Sequence, residues 1–189
     1  MEVNKFIKIY DNCIPYNVLS NFLRYINSLE FEEAKIATDK VNVFETNMNI
    51  RKTYLVGLNK CHESMSNVHW HNFFFNCFRN AYHSYSKNFS HCQYSKILSL
   101  DILKYNEGGF YKYHVDHYTS CPRTLSAILL LNNDYEGGNL CFLDLDTNKE
   151  LIIENKPNRM IVWPSNFLYP HTVKEVKKGI RYSIVSWAL

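Results

Sequence analysis

The sequence has no C-x-x-C pair, no run approaching the roughly 18 consecutive apolar residues that a membrane span needs, no long basic block and no internal repeat. Each absence closes a class. Six cysteines (Cys13, Cys61, Cys77, Cys92, Cys121 and Cys141) lie far apart, which reads as reduced thiols rather than a zinc knuckle. The opening MEVNKFIKIYDNCIP shows no charged segment followed by an apolar stretch of about 7–15 residues, so a cytoplasmic protein without membrane contact is expected. Without an export signal, Asn88-Phe-Ser90 reads as a chance match to a glycosylation acceptor. The net charge of +3, carried by dispersed lysines and arginines, argues against a DNA or RNA partner.

What is present suits a folded domain. With 46 % hydrophobic, 15 % aromatic and 21 % charged residues, 189 residues can bury a core without disulfide staples, and one domain, 1–189, is expected. The pattern divides it into a helical support with flanking strands, 1–95, and a strand-rich part, 96–189. Residues 14–29 space Leu19, Phe22, Leu23, Tyr25 and Ile26 as a helix would, and 66–86 repeat Val68, Phe73, Phe74, Cys77, Phe78 and Tyr82 as a longer one. From Lys96 the pattern changes to β-branched and aromatic runs separated by turn signals. It predicts eight strands, near 96–105, 110–118, 123–132, 138–143, 150–154, 159–163, 171–176 and 181–188. The fold class is therefore mainly β with supporting α, a sandwich or barrel backed by N-terminal helices. LSAILLL is apolar on both faces, which puts that strand in the middle of its sheet.

Inside the strand expected at 110–118 stands YKYHVDHY. Successive strand side chains alternate faces, so His114 and Asp116 share one face, about 7 Å apart at the backbone, and His117 takes the other. A lone H-x-D means little, and any single histidine is more often a surface or core residue than a ligand. A third ligand has to come from another strand, and His171 follows a proline turn in LYPHTV. Two histidines and one carboxylate cap one face of an octahedral ion and leave open positions, the donor set of non-haem Fe(II) oxygenases. In GIRYSIVSWAL, Arg181, Ser183, Val185 and Trp187 share a face. An inward guanidinium costs several kcal/mol unless it meets an anion, so a dicarboxylate gripped by Arg181 and bonded by the Ser183 hydroxyl is the functional reading.

YNEGGFYKYHVDHY, LLLNNDYEGGNLCFLD, WPSNFLYPHTVKEV and GIRYSIVSWAL together resemble the Fe(II)/2-oxoglutarate-dependent dioxygenase superfamily, in its prolyl 4-hydroxylase-like branch. The likeness spans residues 96–189; before that only an opening helix and IRKT at 50–53 share its character. It implies a double-stranded β-helix (jelly-roll, cupin-like) with His114, Asp116 and His171 as metal ligands and Arg181 on the far carboxylate of 2-oxoglutarate. Tyr105 matches a tyrosine of the cosubstrate pocket and Trp187 an aromatic of the last strand. Many members carry lysine where Arg181 stands, and Leu130 replaces the cosubstrate-binding tyrosine of some animal protein-prolyl hydroxylases. The cofactors implied are Fe(II), 2-oxoglutarate and O2, with ascorbate as reductant; the products are succinate, CO2 and a hydroxylated substrate.

A protein or peptide substrate, hydroxylated at proline or another residue, is the first expectation. A free small molecule, a nucleic acid base, or a binding module without catalysis are the alternatives. Nucleic-acid demethylases of the superfamily carry R-x-N-x-T-x-R on the last strand, whereas RYSIVSW lacks the asparagine and second arginine. Nothing in the pattern specifies an oligomeric state. Tyr111, Tyr113, Tyr118 and Trp163 are expected near the mouth of the site, with Arg51 and Tyr54 in a stretch that covers it. His69 and His71, pointing about 200° apart on a helix, read as structural.

Overall fold

The computed structural model describes residues 3–37, 44–58 and 64–189. A short 3-10 turn (Val3–Phe6) leads into β1 (Lys8–Asp11), then α1 (Tyr16–Ile26). Leu19, Phe22 and Ile26, spaced three and four apart, form the buried stripe of α1. Four short strands follow: β2 (Glu32–Glu33), β3 (Ile36–Ala37), β4 (Phe44–Glu45) and β5 (Arg51–Lys52); then come β6 (Tyr54–Gly57) and the long helix α2 (Met65–Asn88). The stripe of α2 is Trp70, Phe74, Phe78, Ala81, Tyr82 and Tyr85, and it is aromatic where it meets α1. There Phe22 sits with its ring centroid 4.9 Å from Trp70 and 4.3 Å from Phe74. Each such fully buried ring contributes about 1.5–3 kcal/mol over the exposed state.

The second half is almost all strand: β7 (Ile97–Tyr105), β8 (Phe110–His114), β9 (Leu125–Leu130), β10 (Glu136–Gly137) and β11 (Leu140–Asp144) come first. β12 (Lys149–Ile152), β13 (Arg159–Pro164), β14 (His171–Val173), β15 (Val176–Lys178) and β16 (Arg181–Ala188) complete it. The strands pair antiparallel into a seven-stranded sheet, β1-β13-β9-β16-β7-β6-β2, and a five-stranded sheet, β12-β11-β14-β8-β5. β10 with β15, and β3 with β4, form separate ribbons. The result is a mainly β jelly roll backed by two helices.

Two cores follow from period-two alternation. Along β16, Ile184 and Ala188 face the helices while Val185 and Trp187 face the second sheet; along β7, Leu100 and Ile102 face the helices while Leu103 and Tyr105 face inward. β9, covered on both sides, is buried at all six positions and lies between β13 and β16, as its unbroken apolar run predicts.

Two expectations need correction. β8 stops at His114 instead of running to 118, because a bend at Asp116 turns the chain away from the sheet. The strand expected over 171–176 divides into β14 and β15, the latter pairing with β10. The flanking strands expected within residues 1–95 include β1, β2 and β6 of the large sheet and β5 of the small one. These strands of two to four residues are too short to display a period.

β1 is held to β13 by more than its ladder. Asn158, at φ 63°, accepts from the Ile14 amide at 2.9 Å and donates to the Ile14 carbonyl at 2.5 Å, both deep in the protein. Beside it the Arg159 guanidinium grips both Asp11 oxygens, at 2.7 and 3.1 Å. Five described cysteines (Cys13, Cys77, Cys92, Cys121 and Cys141) are unpaired thiols. Cys61 lies outside the described residues. Among the described residues no helix is long and apolar enough to cross a membrane.

Candidate metal centre

The antiparallel register of β8 with β14 sets His114 directly opposite His171. Their rings meet with centroids 4.2 Å apart, although the two residues are separated by much of the strand-rich half of the chain. The bend after β8 brings Asp116 between them: its Oδ1 is 3.8 Å from His114 Nε2, and its Oδ2 is 3.5 Å from His171 Nε2. One ligand atom from each residue falls within 4.8 Å of the others. The shared-face expectation for His114 and Asp116 is met by this bend and not by strand alternation.

The hydrogen bonds around the two histidines leave their Nε2 atoms free. His114 Nδ1 lies 2.8 Å from the Lys112 carbonyl, and His171 Nδ1 lies 3.0 Å from the Tyr169 carbonyl. A carbonyl only accepts, so each Nδ1 carries the proton and each Nε2 presents its lone pair to the same point. Burial, then the neighbouring His171, push the His114 pKa down to about 3, which keeps that imidazole neutral. Burial acts to raise the Asp116 carboxyl, but His171, His114, a Ser126 hydrogen bond and Arg123 hold it below its ordinary range. A neutral imidazole at His114 and an ionised carboxylate at Asp116 are protonation states that a divalent cation needs. The donor set therefore fits Fe(II).

A packed surround fixes these side chains. Ser126 Oγ donates to Asp116 Oδ2 at 2.6 Å and is itself bonded to Ser165 Oγ at 2.7 Å. The Tyr111 ring stacks on His114 at 3.6 Å, and Trp163 stands edge-on to His171 at 5.0 Å. Arg123 donates through Nη1 to the Asp116 carbonyl at 3.3 Å, its guanidinium lying 4.0 Å from the Trp187 ring centroid. His117, the histidine left out of the triad, uses Nδ1 to hold the Arg123 carbonyl at 3.0 Å, and its amide donates to Ser165 O. It fastens the 116–123 loop.

The triad opens into a cavity of about 460 Å³, within the size range of small-molecule sites. Its inner wall is apolar, from Leu103, Ile128, Leu140, Val173 and Val185, with Tyr105 and Trp187 as polar-tipped exceptions. Tyr111, Tyr118 and Trp163 line it as expected, and so does Arg51. Tyr113 points away to Glu150 (2.6 Å), and Tyr54 does not line the cavity.

Arg181 is fully buried, paired in register with Tyr105 and seated 5.1 Å from that ring's centroid. Its Nη1 donates to Ser183 Oγ at 3.0 Å, while among the described residues Nε and Nη2 make no hydrogen bond of good geometry, the Tyr135 phenol being their polar neighbour. The Ser183 hydroxyl is thus occupied by the arginine, and neither residue lines the cavity directly; Tyr105 stands at the wall in front of them. A buried guanidinium with two unmatched donors is a built seat for an anion. The Tyr135 phenol adjoins it: burial raises the Tyr135 pKa and the arginine's charge opposes the rise.

Residue types alone did not single out Arg123, Ser126 or Tyr135. Ser126 had a signal, a hydroxyl in the otherwise apolar LSAILLL, where a buried polar group demands a partner.

Comparison with known proteins gives the same reading. Residues 100–189 match the model of the 2OG-Fe(II) oxygenase superfamily. A PKHD-type hydroxylase of Prochlorococcus marinus is 42 % identical over 84 residues, which cover 42 % of this chain and 36 % of that protein. Human prolyl 3-hydroxylase 2 is 39 % identical over 66 residues, 34 % of this chain and 9 % of that one. The matched segment is thus a small part of the length of these relatives. A Trichoplax adhaerens prolyl hydroxylase, solved with a hypoxia inducible factor peptide, superposes with a TM-score of 0.78 at 20 % identity, covering 100 % of this chain and 86 % of that one. A Pseudomonas putida prolyl-4-hydroxylase gives 0.72 at 16 %, covering 99 % and 94 %. Those two likenesses show the shared fold. Through residues 100–189, a little under half of its length, this chain is similar to the 2OG-Fe(II) oxygenase superfamily.

Proposed function

We propose that this protein is an Fe(II)- and 2-oxoglutarate-dependent dioxygenase that hydroxylates a prolyl or other residue of a protein or peptide. The observation that carries the reading is a convergent triad, its ligand atoms freed by carbonyl-bonded Nδ1 groups, together with an unsatisfied buried arginine in the same fold. His114, Asp116 and His171 would hold the iron. When bound, iron and 2-oxoglutarate supply the oxidising chemistry that converts O2 and a C–H bond to an alcohol, with release of succinate and CO2.

The chain's own residues position and exclude. Asp116 offsets part of the metal's charge, and Ser126 holds its carboxylate in one rotamer. Arg181, with Ser183 fixing one end of its fork, would pair with the distal carboxylate of 2-oxoglutarate, and Tyr105 and Trp187 would border the cosubstrate. The apolar wall of Leu103, Leu140, Val173 and Val185 keeps bulk water from the reacting end. A proline-bearing peptide is supported by the branch the sequence resembles and by the peptide bound to the Trichoplax relative. A cytoplasmic location suits the five unpaired thiols.

The test is succinate release with Fe(II), 2-oxoglutarate and ascorbate across a panel of proline-containing peptides, with mass spectrometry of the peptide. Stimulated turnover and one added oxygen are expected, and neither with His114→Ala. Turnover that no peptide stimulates points instead to a free small molecule as substrate.

A further inference from the structure

We infer that the mouth of the cavity selects an acidic polypeptide segment, whose aspartate and glutamate side chains flank the residue presented to the triad. The inference rests on the peptide-hydroxylase reading above. Three cations line the cavity: Lys35, Arg51 and Arg123. Asp116, committed to the triad, is the sole carboxylate among the described lining residues.

The two arginines stand on different walls and are held by aromatic faces. Arg51, on β5 of the small sheet, lies 4.7 Å from the Tyr111 ring centroid and donates through Nη1 to the Lys35 carbonyl at 3.1 Å. Arg123 leads into β9 of the large sheet and lies over Trp187 of β16, with Tyr118 5.4 Å away. Each keeps a buried Nε without a partner. A guanidinium stacked on a ring loses little further freedom on binding and offers its edge as a planar fork for a carboxylate.

Several cations elsewhere on the surface are paired with carboxylates. Arg159 is paired with Asp11 and Glu154, Lys156 with Asp11, Lys174 with Glu150 and Lys178 with Glu136. At the mouth, no described carboxylate lies within ion-pair distance of Lys35 or Arg51, and the one near Arg123 is Asp116 at 3.8 Å. Ile36, Ile50, Val115 and Tyr118 line the same cavity, and such apolar groups beside the cations suit an extended peptide better than a nucleic acid backbone, whose charge repeats without apolar groups. Three cations against one carboxylate leave an excess of positive charge around a low-dielectric opening, which concentrates ligands of the opposite sign and orients them on approach.

The experiment uses the full chain and fluorescein-labelled peptides with one central proline, flanked by Asp/Glu, by Ser/Gly or by Lys. Anisotropy is read at about 50 mM and about 300 mM salt, where screening differs strongly, and hydroxylation is read by mass. The acidic peptide should bind about tenfold more tightly than the neutral one at low salt, with most of that gap lost at high salt. Lys35→Glu, at an exposed position, should weaken the acidic peptide about threefold and leave the neutral one alone; Arg51→Gln should act in the same direction. Equal binding of all three peptides, with any of them hydroxylated, overturns the charge selection and leaves the hydroxylase reading standing. Failure to hydroxylate any peptide while a free small molecule is consumed overturns both. A single-stranded oligonucleotide of matched charge that outcompetes the acidic peptide overturns it in favour of nucleic acid.

Discussion

Arg181→Met separates the anion seat from ordinary core packing. In the ligand-free protein the guanidinium is fully buried with Nε and Nη2 unmatched. Each unmet buried donor costs about 1–3 kcal/mol. Against this stand a desolvated cation–π contact with Tyr105, up to about 2 kcal/mol, and one hydrogen bond to Ser183, about 1 kcal/mol. The two sides nearly cancel, so an unbranched apolar side chain of similar length should leave the ligand-free melting temperature unchanged or higher. With 2-oxoglutarate the balance inverts. Losing a buried bidentate charge pair costs about 2–5 kcal/mol, or roughly 30- to 4000-fold in affinity. Wild type, loaded with redox-inert Mn(II) and given 2-oxoglutarate at about 100 times its Kd, gains about 2.7 kcal/mol. For a chain of this size that is about 5–10 °C in Tm. The variant should show almost none of this shift while still binding Mn(II). A variant that melts many degrees lower without ligand yet keeps the full 2-oxoglutarate shift would refute the assignment and make Arg181 a structural residue.

Ser126→Ala removes the 2.6 Å bond that orients Asp116. Mn(II) or Co(II) affinity by calorimetry should fall about 10- to 100-fold with the fold intact, and an unchanged Kd would show that the carboxylate needs no such support. Below neutral pH the metal-free protein should lose stability. The unfolded His114 takes up a proton near pH 6.5, whereas the folded one does so only near 3, so the unfolded state binds more protons in that window and stability rises with pH. The contribution is complete above pH 6.5 and is lost as pH falls toward 3, with a slope of at most about 1.4 kcal/mol per pH unit. Denaturant titrations at several pH values should show that slope, and His114→Gln should flatten it. Asn158→Ala breaks two buried bonds to Ile14 and leaves a Cβ residue at φ 63° without side-chain compensation. A loss of about 2–4 kcal/mol in chemical denaturation is expected, with the metal affinity retained.

Much of this molecule was legible because alternation is a local property. The helical spacing of Leu19, Phe22 and Ile26, the two-sided apolar run of β9, and the inward face of Arg181, Ser183, Val185 and Trp187 all follow from neighbours in the chain. His114, Asp116 and His171 could be named because their residue types and flanking motifs resemble a known pattern. Register and bends belong to the tertiary structure. Only the pairing of β8 with β14 puts His114 opposite His171, and only the turn after His114 carries Asp116 between them, where continued strand would have held it about 7 Å along the face. β1, β5 and β6 have too few positions to show a period and are strands because β13, β8 and β7 accept them. Arg123, Ser126 and Tyr135 acquired their places the same way. What a side chain can be is written in its own few residues, and what it touches is decided by segments far away that must first be packed together.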